Sequence, residues 1–325
     1  MKKNIAIIMG GYSSEYEISL KSGNVVYHTL SQLDMYCPYR IHIFENKWVY
    51  VSNTNQEFPI DKNDFSVVVD NQKITFDCVF NAIHGSPGED GIMQAYLELL
   101  NIPHTSCGMY QAALTFNKRD CLSVLKPYGI KTAESYYINL GDEVDEDAII
   151  KKVGLPCFVK ANRAGSSFGI SKVYKKEEFK KALEVAYKED DEVIIESYLD
   201  GTEVSVGVIS YQGEIKVLPI TEIVSENDFF DYQAKYLGQS QEITPARISE
   251  SDADKVRALA KRVYEILKMT GFSRSEYIFK DGEPHLLEVN TVPGLTKASI
   301  LPQQAAAAGI SLEQLFQNAI EEALK

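Results

Sequence analysis

The feature that most narrows the folds open to this chain is its opening. Residues 4–9 form an unbroken apolar run, Gly10-Gly11 follow, and a helical apolar period runs from about Ile18 to Leu33. A strand, a glycine turn and a helix in that order make the first unit of a parallel α/β sheet. The unit recurs. Residues 77–83 read as a buried strand, 84–91 as a glycine-rich loop and 92–100 as a helix, with shorter strands between them, including 41–44. Residues 1–104 are therefore expected to form one α/β domain. A chain of 325 residues is too long for one small core and implies two or three compact units.

The texture changes after Met109. Residues 109–125 read as helical, ended by Pro127-Tyr128-Gly129. A strand at 155–160, a loop of small residues at 161–169, a returning strand at 170–174 and a charged helix at 176–188 follow. Residues 193–196 read as a strand, and 203–211 and 214–218 as a hairpin about Gln212-Gly213. Residues 224–247 are polar and aromatic with little periodicity, a length that marks a functional loop or a disordered one. A helix at 252–269, a hairpin about Asp281-Gly282 and a last helix at 312–324 complete the chain.

Composition excludes some classes. The net charge of −13 argues against nucleic acid as the main partner, since phosphate backbones need a basic footprint. It leaves room for a nucleotide, which needs only a local cluster of Lys and Arg. The five cysteines (Cys37, Cys78, Cys107, Cys121 and Cys157) are odd in number and show no metal-ligand spacing, so they read as buried thiols of a cytosolic protein. The N-terminal apolar run is too short for a signal peptide core, and no segment is long enough to span a bilayer. A cytoplasmic protein with no membrane association is expected.

The segment from Ser273 to Asn290 carries the most chemistry. With a three-residue loop, Asp281-Gly282-Glu283, Lys280 faces Pro284, Glu276 faces Glu288 and Arg274 faces Asn290. Strand side chains alternate, so Arg274, Glu276, Glu288 and Asn290 project from one face. A one-residue slip would move Glu276 away. Like charges directly opposite are destabilising unless neutralised, and a hard divalent cation would do so. Mg²⁺ takes one or two carboxylates together with substrate phosphates. The Pro293-Gly294 turn just after Asn290 can aim backbone N–H groups back at the site.

Two further segments suit a nucleotide. In Lys160-Ala161-Asn162-Arg163-Ala164-Gly165-Ser166-Ser167-Phe168-Gly169, small residues let backbone N–H groups approach phosphates, and Lys160 and Arg163 add charge. The loop lacks the GK[ST] that opens a Walker helix. Residues 196–203 leave an apolar strand and could present apolar side chains to an adenine ring, with Glu203 within reach of a ribose. Gly10-Gly11 lacks the spacing of a dinucleotide fingerprint and reads as a structural turn.

Together these segments resemble the bacterial D-alanine–D-alanine ligases of the ATP-grasp superfamily, along nearly the whole chain and in order. The resemblance rests on residues 10–19 (Gly10-Gly11-Tyr12-Ser13-Ser14-Glu15 onward), His84-Gly85 through Gly88-Glu89-Asp90-Gly91, Asn117-Lys118, and the loop at 160–169. It continues in Asp231-Tyr232-Gln233-Ala234-Lys235-Tyr236, and in Leu287-Glu288-Val289-Asn290-Thr291 through Pro293-Gly294-Leu295-Thr296. It implies an N-terminal parallel α/β domain (1–104) followed by a two-subdomain α+β ATP-grasp unit. That unit comprises a central subdomain (105–194) and a C-terminal one (195–325) with a lid at 224–247 and a metal hairpin at 274–290.

The implied reaction supplies the peptidoglycan precursor D-alanyl-D-alanine. The carboxylate of one D-alanine takes the γ-phosphate of ATP, and the amine of a second displaces phosphate from the acyl phosphate. By the resemblance, Lys118, Lys160, Ser166 and Ser167 contact ATP phosphates, and Lys235 reaches the γ-phosphate from the lid. Glu196, Leu199 and Glu203 hold the adenosine. Glu276, Glu288 and Asn290 hold two Mg²⁺ ions, with Mn²⁺ as a substitute. Arg274 and the Gly294 N–H stabilise the tetrahedral intermediate. Glu15 takes the first substrate's ammonium, with Ser166 and Tyr236 bonded beside it. His84 lines the first substrate's pocket, and Ser299 meets the second substrate's carboxylate. The resemblance further implies a homodimer.

The chain departs from the common pattern in three places. Glu276 stands where aspartate is usual, Val292 where serine is frequent, and Ala298 where histidine is common. A related ligase using D-lactate or D-serine as second substrate is one alternative, against which the Lys235-Tyr236 pair speaks. A non-catalytic nucleotide-binding regulator is another, against which the complete catalytic set speaks.

Overall fold

The computed structural model of the chain describes residues 2–166, 168–225 and 240–325. The residues between fall in the expected loop at 160–169 and in the expected lid. Ser167, Lys235 and Tyr236, three of the expected site residues, therefore lie outside the described residues.

Three sheets organise the chain. The first contains β1 (Lys3–Gly10), β2 (Tyr36–Ile43), β3 (Trp48–Val51), β4 (Glu57–Asp61), β5 (Ser66–Val69), β6 (Gln72–Ile74) and β7 (Cys78–Asn81), in the order β6-β5-β4-β3-β2-β1-β7. The expected parallel pairing holds where β1 lies between β2 and β7. The four strands between residues 48 and 74 add an antiparallel meander. Its short half-buried strands carry weak alternation, which is why they were hard to read from the sequence. Strand β1 is buried from Ile5 to Met9, as its unbroken apolar run requires.

The second sheet contains β8 (Ser135–Asn139), β9 (Cys157–Ala161), β10 (Ile170–Val173) and β11 (Glu192–Ser197), in the order β10-β9-β11-β8. The expected boundary at residue 194 falls inside β11, so a division by sheets comes after Ser197. The third contains β12 (Thr202–Tyr211), β13 (Glu214–Val217), β14 (Thr221–Ser225), β15 (Ser240–Ile243), β16 (Phe272–Lys280) and β17 (Glu283–Asn290). Its order is β15-β14-β12-β16-β17, with β13 beside β12.

The hairpin β16–β17 reaches the expected pairing by a different route. The turn has two residues, Asp281 and Gly282, both at positive φ (53° and 73°), which is the preferred tight hairpin turn. Lys280 therefore faces Glu283, not Pro284. A bulge at Leu287 then shifts the register, so Glu276 faces Glu288 and Arg274 faces Asn290. The turn and the bulge differ from the simple three-residue loop by compensating single residues. Beyond the bulge, Tyr277 is fully buried against the core formed with Val204 and Leu286.

One core joins the two ends of the chain. Ile5, Ile7, Met9 and Phe80 of the first sheet pack with Leu301, Leu315, Phe316 and Ile320 from the helices Ile300–Ala307 and Leu312–Ala323. Phe80 and Phe316 meet edge to face at 5.5 Å. The first of these helices was not among the elements expected from the sequence.

Gly201, just before β12, has its backbone pressed against β16. A Cβ there would sit 1.6 Å from the carbonyl oxygen of Phe279. Gly201→Ala must push β12 from β16, and we expect it to lower stability by about 1–3 kcal/mol, as overpacking does. Chemical denaturation checks this, and an unchanged unfolding midpoint would show that the approach is not tight.

Candidate active site between the central and C-terminal sheets

A cleft of about 910 Å³, counted to its open mouth, separates the second sheet from the hairpin β16–β17. Phe158, Ile170, Leu199, Ile278 and Leu287 give it apolar walls. Lys118, Lys160, Glu196, Glu203, Glu276 and Glu288 bring charge to it. The fold thus gathers expected residues spread over 171 positions of sequence, from Lys118 to Glu288. Apolar walls with a few convergent polar groups are the usual make-up of a small-molecule site.

Local structure explains where each side chain points. The helix expected at 109–125 is broken at Asn117, which adopts an extended conformation between Met109–Phe116 and Lys118–Leu125. The Asn117 side chain accepts from the Asp120 N–H at 3.0 Å and caps the second helix. The break turns Lys118 inward. Its Nζ donates to the Ala164 carbonyl at 2.6 Å and lies 3.3 Å from Glu288. Lys160, on β9, pairs with Glu196 on β11 at 2.8 Å. Burial works against the Lys160 charge, but Glu196, then Glu288 and Glu203, more than offset this, and its pKa rises. The second Glu196 oxygen, Oε1, is buried with no partner among the described residues. A buried acceptor without a donor is costly, so this oxygen is a place for a ligand N–H.

Arg163 does not join the site. Its guanidinium is held by Asp190 and Asp191, each at 2.7 Å, and its pKa is driven up chiefly by the Asp190 hydrogen bond. The charge read into this loop thus comes from Lys160, with Arg163 serving to fasten the loop.

On the hairpin, Arg274 donates to both Glu276 and the Ser205 hydroxyl, the latter at 3.1 Å. Burial disfavours the guanidinium charge, yet Glu276, Glu288 and Glu242 shift its pKa upward on balance. The two facing carboxylates therefore each have a cation, Arg274 for Glu276 and Lys118 for Glu288. Asn290 Oδ1 accepts from the Val292 N–H at 3.0 Å and shares a small pocket with Glu288. The donor set is two carboxylates and an amide oxygen, all hard, which fits Mg²⁺ completed by ligand phosphates. Among the described residues no group of three or more His, Cys, Asp or Glu is assembled for a metal.

A second cluster adjoins the loop at 160–169. Glu15 is buried and receives the Ser166 hydroxyl. Gly165 lets the loop close on it, since a Cβ there would lie 2.5 Å from a Glu15 oxygen. His84 is buried with both ring nitrogens engaged, one with Ser22 at 2.9 Å and the other with the Val292 carbonyl at 2.7 Å. Ser22 also receives the Leu295 N–H at 3.2 Å. The loop containing Gly294 is thereby strapped to the first domain. Ser299 precedes the helix Ile300–Ala307 and bonds Thr296 through its hydroxyl at 2.9 Å. Gly294 lies so close that a Cβ would be 2.7 Å from that hydroxyl.

Sequence reading passed over Ser22, Glu89 and Ser205. Ser22 and Ser19 lie three apart on the buried stripe of the helix Tyr16–Leu30, where small polar residues are a signal of side-chain bonding. Glu89 sat within a quoted motif without a role. Its carboxylate accepts from the Gly85 N–H at 2.7 Å and the Val292 N–H at 3.3 Å. Burial, then the charge of Glu15, pushes its pKa up to about 8.

An acid whose pKa is higher folded than unfolded holds more protons when folded, so stability falls as pH rises through that window. For Glu89 the window runs from 4.5 to about 8. Glu89→Gln has no such titration, so its melting temperature relative to the parent should rise between pH 5 and pH 8, on top of any constant offset. Parallel melting curves against pH would remove the assignment.

Comparison with known proteins agrees with the geometry. Residues 4–107 match the family described as D-ala D-ala ligase N-terminus, and residues 124–321 match D-ala D-ala ligase C-terminus. The chain is 71% identical over 322 residues to a D-alanine–D-alanine ligase of Flavobacterium johnsoniae, covering 99% of both. Among solved structures, D-alanyl-alanine synthetase A of Vibrio cholerae superposes with a TM-score of 0.88 at 27% identity, covering 99% of this chain and 98% of that one. D-alanine–D-alanine ligase of Bacillus anthracis, complexed with ATP, gives 0.78 at 30% identity, covering 99% and 97%. With both family regions matched across most of its length, the chain belongs to the D-alanine–D-alanine ligase family.

Proposed function

We propose that the chain catalyses ATP-dependent ligation of two D-alanine molecules for peptidoglycan synthesis, through an acyl phosphate, at the cleft between β9–β11 and the hairpin β16–β17. The observation that carries the reading is the single continuous site: an apolar slot ending in Glu196, two lysines beyond it, and two facing carboxylates beside Arg274. ATP is the co-substrate and a divalent metal the cofactor. We infer two Mg²⁺ ions, replaceable by Mn²⁺, at Glu276, Glu288 and Asn290; when bound they supply charge neutralisation for the phosphates.

The orphaned Glu196 oxygen accepts the adenine amino group, with Leu199 beneath the ring and Glu203 at the ribose. Lys118 and Lys160 hold the phosphates, with Ser166 and Ser167 of the loop and Lys235 of the lid. Glu15 holds the first D-alanine by its ammonium, supported by Ser166 and Tyr236, in a pocket walled by His84. Its carboxylate oxygen attacks the γ-phosphorus and ADP leaves. Ser299 receives the second D-alanine's carboxylate, and its amine attacks the acyl carbon. Arg274 and the Gly294 N–H stabilise the oxyanion, phosphate leaves and the amine gives up a proton. Water must be kept out, because the acyl phosphate hydrolyses, and the contact of Gly165 with Glu15 supports a closed site.

We also read the protein as a cytoplasmic homodimer. All five cysteines are free, and all but Cys37 are buried, which supports a reducing compartment. The exposed Ile92, Leu99, Met109 and Tyr110 on two touching helices provide an apolar face for pairing. No described helix is long and apolar enough to cross a membrane.

Glu288→Gln should fold normally and lose D-alanine-dependent ADP formation by roughly a hundredfold or more, the scale for a group acting on developing charge. Near-normal turnover would overturn the placement. Lys160→Ala should raise the KM for ATP about tenfold or more, the cost of about 1.4 kcal/mol for a lost charged contact, whereas Arg163→Ala should leave it within about twofold. Equal effects would mean that the fastening of this loop by Arg163 matters to the nucleotide as much as the Lys160 charge does.

A further inference from the structure

The helix Ile300–Ala307 begins at Ser299 and carries two adjacent glutamines in an otherwise apolar run. Gln304 is fully buried. Its Nε2 donates to the Ser205 carbonyl at 2.8 Å and to Thr221 Oγ1 at 3.0 Å. Ser205 is the residue whose hydroxyl receives Arg274, and Thr221 meets Thr244 at 2.6 Å. This glutamine fixes the helix on β12 and β14. Gln303 reaches the neighbouring strand of the same sheet. Its Nε2 donates to the Ala298 carbonyl at 2.7 Å and to Glu242 on β15 at 3.2 Å. An amide nitrogen has two hydrogens, and both are used.

The Ala298 carbonyl belongs to the peptide that leads into Ser299, so holding it sets the orientation of that peptide and the place of the Ser299 hydroxyl. Glu242 is also among the carboxylates whose field reaches Arg274. One side chain outside the cleft therefore spans the segment at 296–299 and the strand β15.

We propose that Gln303 is a positioning residue for the second amino-acid substrate, locking the Ala298–Ser299 peptide against β15. The proposal rests on the reading that Ser299 meets that substrate's carboxylate. Gln303 is not among the residues lining the nucleotide cleft, and its bond to the Ala298 carbonyl acts on the segment assigned to the second amino acid. Two modest hydrogen bonds are involved, and small displacements of positioning groups have large kinetic effects.

The test is steady-state kinetics of the full chain with ATP, Mg²⁺ and D-alanine, resolving the KM values of the two amino-acid sites. Gln303→Met keeps the length and removes both donors. It should raise the second-site KM about tenfold while the KM values for ATP and the first D-alanine stay within about twofold. Gln303→Lys, which can donate to both acceptors, should recover most of the loss and provides a second variant should the first not fold. A second-site KM within twofold for folded Gln303→Met overturns the proposal, as does an equal rise at all three sites. Ser299→Ala, measured alongside, judges the underlying reading separately. If it leaves the second-site KM unchanged, the reading of Ser299 fails and the proposal with it; if it raises that KM while Gln303→Met does not, only the proposal fails.

Discussion

The arrangement of this protein turns on two carboxylates that face each other across a hairpin. Glu276 and Glu288 are opposite neighbours on β16 and β17, a pairing that repels unless countered. The fold counters it from two directions. Arg274, two residues earlier on the same strand, takes Glu276, and Lys118 is delivered to Glu288 by a different helix. Much of the surrounding structure exists to keep these four groups together. The break at Asn117 aims the lysine, Ser205 steadies the arginine, and Gln304 steadies Ser205. A partly buried pair of like charges with matched cations is costly to assemble and stays useful only where a ligand's own charge can exchange with it.

The same logic explains why the site lies between sheets. Lys160 and Glu196 come from the second sheet, Arg274, Glu276 and Glu288 from the third, and Lys118 from the helix Lys118–Leu125. The strap through His84 and Ser22 adds the first domain to this assembly, fixing the turn with Gly294 against the glycine loop that follows β7.

The sequence displayed the residue types well and the geometry unevenly. The β1 unit was legible because an unbroken apolar run beside a glycine pair has few other readings. The facing of Glu276 and Glu288 was inferred from a turn that is not there. The pairing survives because the bulge at Leu287 restores the residue that the tighter Asp281-Gly282 turn removes. No periodicity argument sees a bulge, since it is a local exception to the alternation such arguments use. Arg163 was misread for a related reason: a charge in a loop of small residues looks like a phosphate contact until Asp190 and Asp191, distant by 27 and 28 residues, fold against it. The role of Ser22 was hidden because it bonds His84 and the Leu295 N–H, 62 and 273 residues away, and nothing near it marks the partner.

The shared core of the first sheet and the last two helices has a consequence for synthesis of the chain. Ile5, Ile7, Met9 and Phe80 leave the ribosome more than 230 residues before Phe316 and Ile320, which pack on them. A nascent chain that has completed its first sheet therefore lacks part of the cover of that sheet's apolar face until those helices emerge. A product ending before residue 312 keeps that part of the face exposed to aggregation and to chaperones.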